Sequence, residues 1–399
     1  MATNYNPRTV TDGLVFALDA ANIKGYDKYE NLVTYSEDFS DAAWVKDFGG
    51  VGSVPVITNN AGTDPNGTTT ADRVQFALNG GTTTTDRSDI RQTATTTAGT
   101  YTLSFFVKSF DGSSTYNMFI RDANGTVNPI QVTPNWTRIS ITASTYPSGN
   151  VSLGIGIRGG QTPTNSNTAD ILVWGAQLER GSTANDYYPT SGTTKTRGTT
   201  LTDLSLTKNT ATLLNTPTFS NTNGGYLSFA SASSQYATAP NLGDIPRWTV
   251  ETFVRFTSDY STKVAMVVGG QYDGLSKFNF TIGTNNAPVN YNIAVGFFDG
   301  IWHTTNGINY ALNTWFRIVG TYDGTTIRQY TNGTEVNSLN YTGTPSSGGE
   351  IRINRRWDSA VSSGNLFDTD IATVRIYNRA LTAAEVQQNF NAGRARFSI

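Results

Sequence analysis

The chain has 399 residues, of which 28 are Lys or Arg, 30 are Asp or Glu and none is Cys, giving a formal net charge of −2. That length accommodates two or three domains of ordinary size. The near balance of charge leaves no basic footprint for phosphates, so nucleic acid is not expected as a partner, and the lack of thiols excludes disulfide staples and thiolate metal sites. Thirty-nine glycines, abundant Thr, Asn and Ser, and 12% aromatic residues are the mixture of many short strands joined by tight turns. No run of about 18 apolar residues is present to cross a bilayer as a helix, so membrane insertion is not expected.

Residues 1–12 form a polar lead-in, and the opening MATNYNPRTV lacks the apolar centre of a secretory leader. Residues 13–20, GLVFALDA, are an apolar strand that ends in Asp19. Strand-like stretches follow at residues 31–46, 64–76, 99–109, 135–143 and 171–190. Within the third of these, Tyr101, Leu103, Phe105 and Val107 share one face of an alternating pattern. Asn66-Gly67, Asp111-Gly112 and Asn124-Gly125 mark turns between strands. Trp44, Trp136 and Trp174 fall inside strand-like runs and are expected in a core, and residues 189–198, PTSGTTKTRG, read as a polar linker.

The second half offers strands at residues 248–256, 263–269, 277–283, 290–297, 315–322, 325–331 and 350–354, then the closing segment DIATVRIYNRALTAAEVQQNFNA at residues 370–392. Its first part alternates, with Ile371, Thr373, Arg375 and Tyr377 on one face and Ala372, Val374 and Ile376 on the other, the pattern of a half-buried strand. Its second part is a helix. Thr382 and Glu385 have the spacing of a capping box, Gly393 is placed to end the helix in a left-handed turn, and Val386, Asn389, Phe390 and Gly393 form a narrow stripe suited to covering a sheet.

Catalytic chemistry is poorly provided for. Seven glutamates are present, Glu30, Glu37, Glu179, Glu251, Glu335, Glu350 and Glu385, and Glu251, on a strand, has no second carboxylate two or four residues away to complete the pair that glycoside hydrolysis needs. With no Cys, a single His and no Gly-x-Ser-x-Gly elbow, a nucleophilic triad has no members. Phosphate loops and dinucleotide fingerprints are missing too. The protein is therefore expected not to be an enzyme, and no cofactor or metal is expected. Sugar binding needs a flat ring for the apolar sugar face beside planar polar groups for hydroxyls. Tyr272 with Asp273, Trp302 with His303, and Trp357 with Asp358, all in turn-rich stretches, are the candidate carbohydrate-binding residues. The competing reading of the same trio is packing at a rim or against a neighbouring subunit, and His303 in DGIWHTTNG is by default a surface histidine.

Three runs resemble a known family in order along the chain. WTVETFVRF (248–256), WFRIVGTYDGTTIRQYTNG (315–333) and VRIYNRALTAAEV (374–386) look like the inner strand, the hairpin, and the closing strand with helix of laminin G-like, concanavalin A-like jelly rolls. GLVFALDA resembles the first strand of that fold, which lies near the closing strand. Its usual continuation is recognisable only at residues 200–219 (TLTDLSLTKNTATLLNTPTF) and 223–238 (NGGYLSFASASSQYAT). The intervening span resembles a carbohydrate-binding-module-like jelly roll found in phage tail-fibre and other virion proteins. The resemblance implies an all-β protein of two β-sandwich jelly rolls, the first inserted into the second, with one short C-terminal helix. Residues 1–28 would supply the first strand, 29–192 the insert and 193–399 the remainder, an insertion of the kind that loop tips tolerate.

What the resemblance implies for function is coarser, because this sandwich carries lectins, glycosidases and structural modules alike. The Glu-x-Asp-x-x-Glu strand motif of laminarinase-type glucanases does not occur. Related sandwiches tie their first and last strands with calcium. Asp19 suits that role, but Ala372 occupies the position of the closing-strand carboxylate, with Asp368 and Asp370 only nearby. The expectation is a non-catalytic bacteriophage virion protein, a tail-fibre or capsid adhesin that binds host surface glycans through its loops, many weak contacts being made useful by many copies. It would be made in the host cytoplasm without a leader, reside on the virion surface, contact other virion proteins and form a homo-oligomer. The alternatives are a ligand-free decoration protein of capsid or tail and, third, a glycoside hydrolase.

Overall fold

The computed structural model describes residues 8–22, 24–122, 125–272, 277–284, 292–356 and 366–399. Met1–Lys28 and Gly198–Ile399 form one compact unit and Tyr29–Arg197 a second. The first unit begins with β1 (Leu14–Asp19), and the chain then enters the second.

The second unit holds β2 (Trp44–Gly49), β3 (Val56–Gly62), β4 (Ala71–Ala77), β5 (Arg87–Thr96), β6 (Gly99–Ser109), β7 (Tyr116–Arg121), β8 (Val127–Val132), β9 (Thr137–Tyr146), β10 (Gly149–Arg158) and β11 (Thr168–Arg180). These pair into two five-stranded sheets, ordered β2-β5-β10-β7-β8 and β3-β4-β11-β6-β9. Every pairing is antiparallel, so each strand can send alternate side chains inward. Tyr101, Leu103, Phe105 and Val107 do so on β6, meeting Val151, Leu153, Ile155 and Ile157 of β10 in one core. Trp44 is fully buried there, 4.7 Å from Phe39. A buried side chain of this kind contributes roughly 2–3 kcal/mol. Trp174 and Trp136 leave that core, joining Ala71, Leu172, Phe106 and Tyr187 in a small cluster on the opposite face of β11. The unit closes later than the 192/193 boundary read from the sequence. Lys195 pairs its backbone with Asn31, and Arg197 donates to the buried Glu179 carboxylate at 2.9 Å.

The chain re-enters the first unit through β12 (Thr200–Thr202), β13 (Thr210–Leu214), β14 (Thr218–Ser220), β15 (Tyr226–Phe229), β16 (Tyr236–Ala239), β17 (Trp248–Phe256), β18 (Met266–Tyr272), β19 (Lys277–Thr284) and β20 (Ile293–Phe298). It continues with β21 (Trp302–Thr304), β22 (Trp315–Tyr322), β23 (Thr326–Thr331), β24 (Thr334–Asn340), β25 (Glu350–Ile353), β26 (Thr369–Tyr377) and α1 (Ala383–Gly393). Two eight-stranded sheets result. One runs β14-β15-β26-β17-β22-β23-β24 with β1 also paired to β26, and the other runs β12-β13-β16-β25-β18-β19-β20-β21. β26 has β17 along one edge. Along its other edge lie β1, which places Leu18 opposite Val374, and β15, which places Leu227 opposite Ile371. The core between the sheets takes Phe16, Leu18, Trp248, Val250, Phe280, Ile282, Val295, Ile318 and Val374.

Two local expectations are corrected. Simple alternation fails on β26, because Phe253 faces Thr373 while Val254 faces Ile371. Skipping Ala372 makes a bulge that shifts the phase, and Ile371 and Val374 both join the core between the sheets. The strand is also buried on both faces, since Ala372 packs with Phe253, Trp315, Phe390 and Phe397 on the far side. The helix does carry its capping box. Glu385 N donates to Thr382 Oγ1 at 3.3 Å and Thr382 N donates to Glu385 Oε2 at 2.8 Å. Gly393, however, has φ −113° and does not stop the helix in a left-handed turn. A Cβ there would sit 2.7 Å from Phe253 Cε2, so the residue is small to let the helix end approach that ring, and the chain runs on into a short 3-10 turn at Arg394–Phe397.

Candidate functional site

Of the residues singled out in the sequence, Trp302 and His303 are placed by β21, a three-residue edge strand paired to β20 so that Phe297 faces His303 and Phe298 faces Trp302. His303 is not a surface residue. Its ring is 8% exposed and stacks on Tyr341 at 3.5 Å and 18°, and its Nε2 is 2.9 Å from Asp299 Oδ1. Tyr341 OH donates to the other oxygen of the same carboxylate at 2.7 Å. Burial opposes ionisation of Asp299, but the Tyr341 and His303 bonds hold its carboxyl below the usual range. This trio locks a turn. Tyr272 is the last residue of β18, and Asp273, Trp357 and Asp358 lie outside the described residues.

Trp302 packs edge-on against Phe298 at 5.4 Å and borders a shallow depression with Met266, Thr281, Ala294 and Thr304. This is the outward face of its sheet, since the alternate residues Phe280, Ile282 and Val295 are in the core. Asn279 Oδ1 and Thr281 Oγ1, both buried on that face, have no hydrogen-bond partner among the described residues.

The larger opening lies in the Tyr29–Arg197 unit. It is a cleft of about 440 Å³ lined by Tyr35, Glu37, Asp38, Asn59, Asn60, Thr70, Asp72, Pro189, Thr190 and Ser191. Asp72, on β4, anchors it. Its Oδ2 accepts from Phe39 N at 2.8 Å and its Oδ1 from Asn60 N at 2.9 Å. Asn60 takes a left-handed φ of 51° where the β3–β4 register slips between Thr58 and Gly62, a conformation Asn accepts more readily than most residues. Thr190 is pinned from behind, its N donating to Ser36 Oγ at 2.8 Å and its Oγ1 to Val33 O at 2.7 Å. Glu37 accepts from Tyr187 OH at 3.0 Å, and burial raises its pKa. Burial also pushes Asp72 up to about 6, against the pull of its two backbone bonds. No local pattern announces this cleft, because its walls come from residues 35–38, 59–60, 70–72 and 189–191 and meet only through folding.

The carboxylates suited by type to acid–base or metal chemistry are committed elsewhere. Glu251 is 1% exposed beneath α1, ion-paired with Arg317 and with Arg375 at 3.2 Å and accepting from Asn389 Nδ2 at 3.2 Å. Asp19 accepts from Arg396 at 2.8 Å and from Ala21 N at 3.0 Å. Asp370 accepts from Arg255 at 2.8 Å, and Asp368 from Ser258 Oγ and Ser231 N at 2.6 Å each. Among the described residues no group of three or more His, Asp or Glu is arranged to hold a metal ion.

Residues 223–387 match the family model described as the concanavalin A-like lectin/glucanases superfamily, and this stretch carries that fold. Similar solved structures include the binding domain of botulinum neurotoxin serotype G, at 17% identity over 48% of this chain and 48% of that chain with a TM-score of 0.37. The binding domain of Paraclostridial mosquitocidal protein 1 is 15% identical over 48% and 49% with a TM-score of 0.37. Domain 4 of a GH43 extracellular arabinanase from Geobacillus stearothermophilus, in complex with arabinotriose, is 18% identical over 47% and 91% with a TM-score of 0.38. The chain spans about half the length of the neurotoxin and mosquitocidal domains. No curated protein matches it.

Proposed function

We propose that the protein binds glycans without cleaving them, and that it does so as a surface adhesin of a bacteriophage virion. The cleft of about 440 Å³ in the Tyr29–Arg197 unit carries the binding part of this reading. Its lining combines a tyrosine ring with amides, hydroxyls and carboxylates, the groups that take an apolar sugar face and its hydroxyls. The lectin/glucanase fold of residues 223–387 and the bordering ring of Trp302 support a second glycan contact in the other unit.

Two observations favour binding over hydrolysis. Asp72 is 1% exposed with each oxygen accepting a backbone N–H, so burial withholds its carboxyl from a glycosidic oxygen. Glu251, the inner-strand carboxylate, is sealed under a helix. The virion setting, the homo-oligomer and the contacts to other virion proteins rest on the resemblance of the inserted span to tail-fibre modules.

A glycan array on the purified chain tests the binding reading, with Asn59→Ala, an exposed cleft residue, expected to weaken the retained signal about tenfold. Failure to retain any glycan would overturn it, and release of reducing ends from a retained glycan would replace it with a hydrolase. Mass spectrometry of purified particles tests the virion setting.

A further inference from the structure

The outward face of the sheet β2-β5-β10-β7-β8 carries a charge pattern that the cleft does not use. Antiparallel register sets the side chains in rows. In the first, Val45, Arg91, Gly154, Arg121 and Val127 lie side by side on successive strands. In the next, Asp47, Asp89, Gly156, Phe119 and Pro129 follow, and in the third Gly49, Arg87 and Arg158. Four guanidiniums thus share one face with two carboxylates, an excess of two positive charges in a chain whose net charge is −2.

The carboxylates are taken by the first two arginines. Arg91 Nε donates to Asp89 Oδ2 at 2.6 Å and Arg91 also pairs with Asp47, while Arg87 reaches Asp47 at 3.0 Å. Arg121 is left with little. Its Nη2 is 3.7 Å from Asp89 and its Nη1 3.4 Å from Gly125 O, and its Nε has no hydrogen-bond partner among the described residues. Among the described residues the Arg158 side chain makes one hydrogen bond, from Nε to Thr84 O at 2.5 Å. Crowding is felt by Arg91, whose pKa is lowered first by burial and then by Arg121 and Arg158.

Between the arginines the floor has no side chain of its own at Gly154 and Gly156, and the neighbouring side chains cover both glycines. Gly154 lies directly between Arg91 and Arg121, and a Cβ on it or on Gly156 would collide with the carbonyl of Ile90 or of Ser88. Two strand spacings put the Arg91 and Arg121 backbones about 10 Å apart, a span that a flat-lying sugar pair can bridge.

We propose that this face binds an anionic polysaccharide, one bearing carboxylate or sulfate groups along its chain, with Arg121 and Arg158 as the contacting cations. Guanidinium recognises both groups through paired N–H donors, while Asp47 holds Arg87 and Arg91 beside them. A glycan offers anions and hydroxyls together, whereas nucleic acid asks for more phosphate neutralisation than two excess charges supply. The inference extends the glycan-binding reading to a second surface.

Affinity electrophoresis of the full chain through gels containing polygalacturonate, dextran sulfate, uncharged dextran or duplex DNA tests it. Retardation is expected in one or both acidic polysaccharides and not in dextran, the two acidic gels separating carboxylate from sulfate recognition. Arg121→Gln and, independently, Arg158→Gln should each weaken it about tenfold with the melting temperature kept. Arg73→Gln, on β4 of the other sheet, should not. The dissociation constant should rise with salt at a log–log slope of about 2. No retardation in either acidic gel, or retardation lost in Asn59→Ala but kept in both arginine variants, overturns the proposal and leaves the cleft reading intact. Equal retardation by DNA overturns it in favour of a phosphate-binding surface.

Discussion

The guanidinium of Arg396 donates to the carboxylate of Asp19 at 2.8 Å, tying the last turn of the chain to its first strand across 377 positions. Arg396 also donates to the carbonyls of Asn223 and Gly225, so two segments distant in sequence converge on one side chain. The same pair occupies the aspartate on which a calcium ion would have depended, so a cation there would have to displace the guanidinium.

Arg396→Ala is expected to destabilise by about 2 kcal/mol and Asp19→Asn by about 1, because the pair is partly solvated and the two carbonyl bonds depend only on the arginine. Urea unfolding checks the order. Equal losses would mean that the carbonyl bonds add nothing.

Glu251 and Arg317 present a harsher case. Both are buried to within 1%, so Glu251→Gln leaves Arg317 facing a neutral amide in a dry site and should cost about 3–5 kcal/mol. Burial alone would raise the Glu251 pKa, but Arg317 and Arg375 bring it below its ordinary value. Its ionisation therefore contributes stability above pH 4.5 that is lost as pH falls through the depressed value. An acid unfolding midpoint that the substitution fails to move would count against this account.

Asp89 works in the opposite direction. Burial lifts its pKa from 3.8 to about 6 despite Arg121, Arg87 and Arg158, so the folded state holds the proton more tightly than the unfolded chain. The stability this gives is fully present below about pH 4 and lost as pH rises through about 6, up to about 3 kcal/mol across that window. Carbon-detected titration of the aspartate carboxyls should show two elevated transitions, from Asp89 and Asp72. Midpoints near 4 for both would refute it.

At the end of α1, Gly393→Ala gains about 1 kcal/mol of helix propensity but drives a methyl group into Phe253. The packing loss is expected to win by roughly 1–2 kcal/mol. Thr382→Ala, at the other end, should cost about 1 kcal/mol by opening the capping box. Thermal melts of the two variants separate a packing role for Gly393 from a conformational one, since a stabilised Gly393→Ala would leave no room for the clash.

Much of the fold was legible because it is written locally. Alternation on β6, the Asp111-Gly112 turn with Gly112 at a φ of 69° and the Thr382–Glu385 box each depend on residues within one turn or strand. His303 misled because burial is not a local property. Its partners Asp299 and Tyr341 close around it only when β20, β21 and the segment after β24 come together, and nothing in DGIWHTTNG announces the stacked tyrosine.

By itself the sequence determined that the chain is all-β with one capped helix, since strand periodicity and turn chemistry act over a few residues. Tertiary structure alone decided which polar groups face open space. The cleft at Tyr35, Asn60 and Asp72 and the arginine face around Gly154 each gather residues from distant strands. Cross-strand register, set by the burial of the opposite faces, fixes which of them meet.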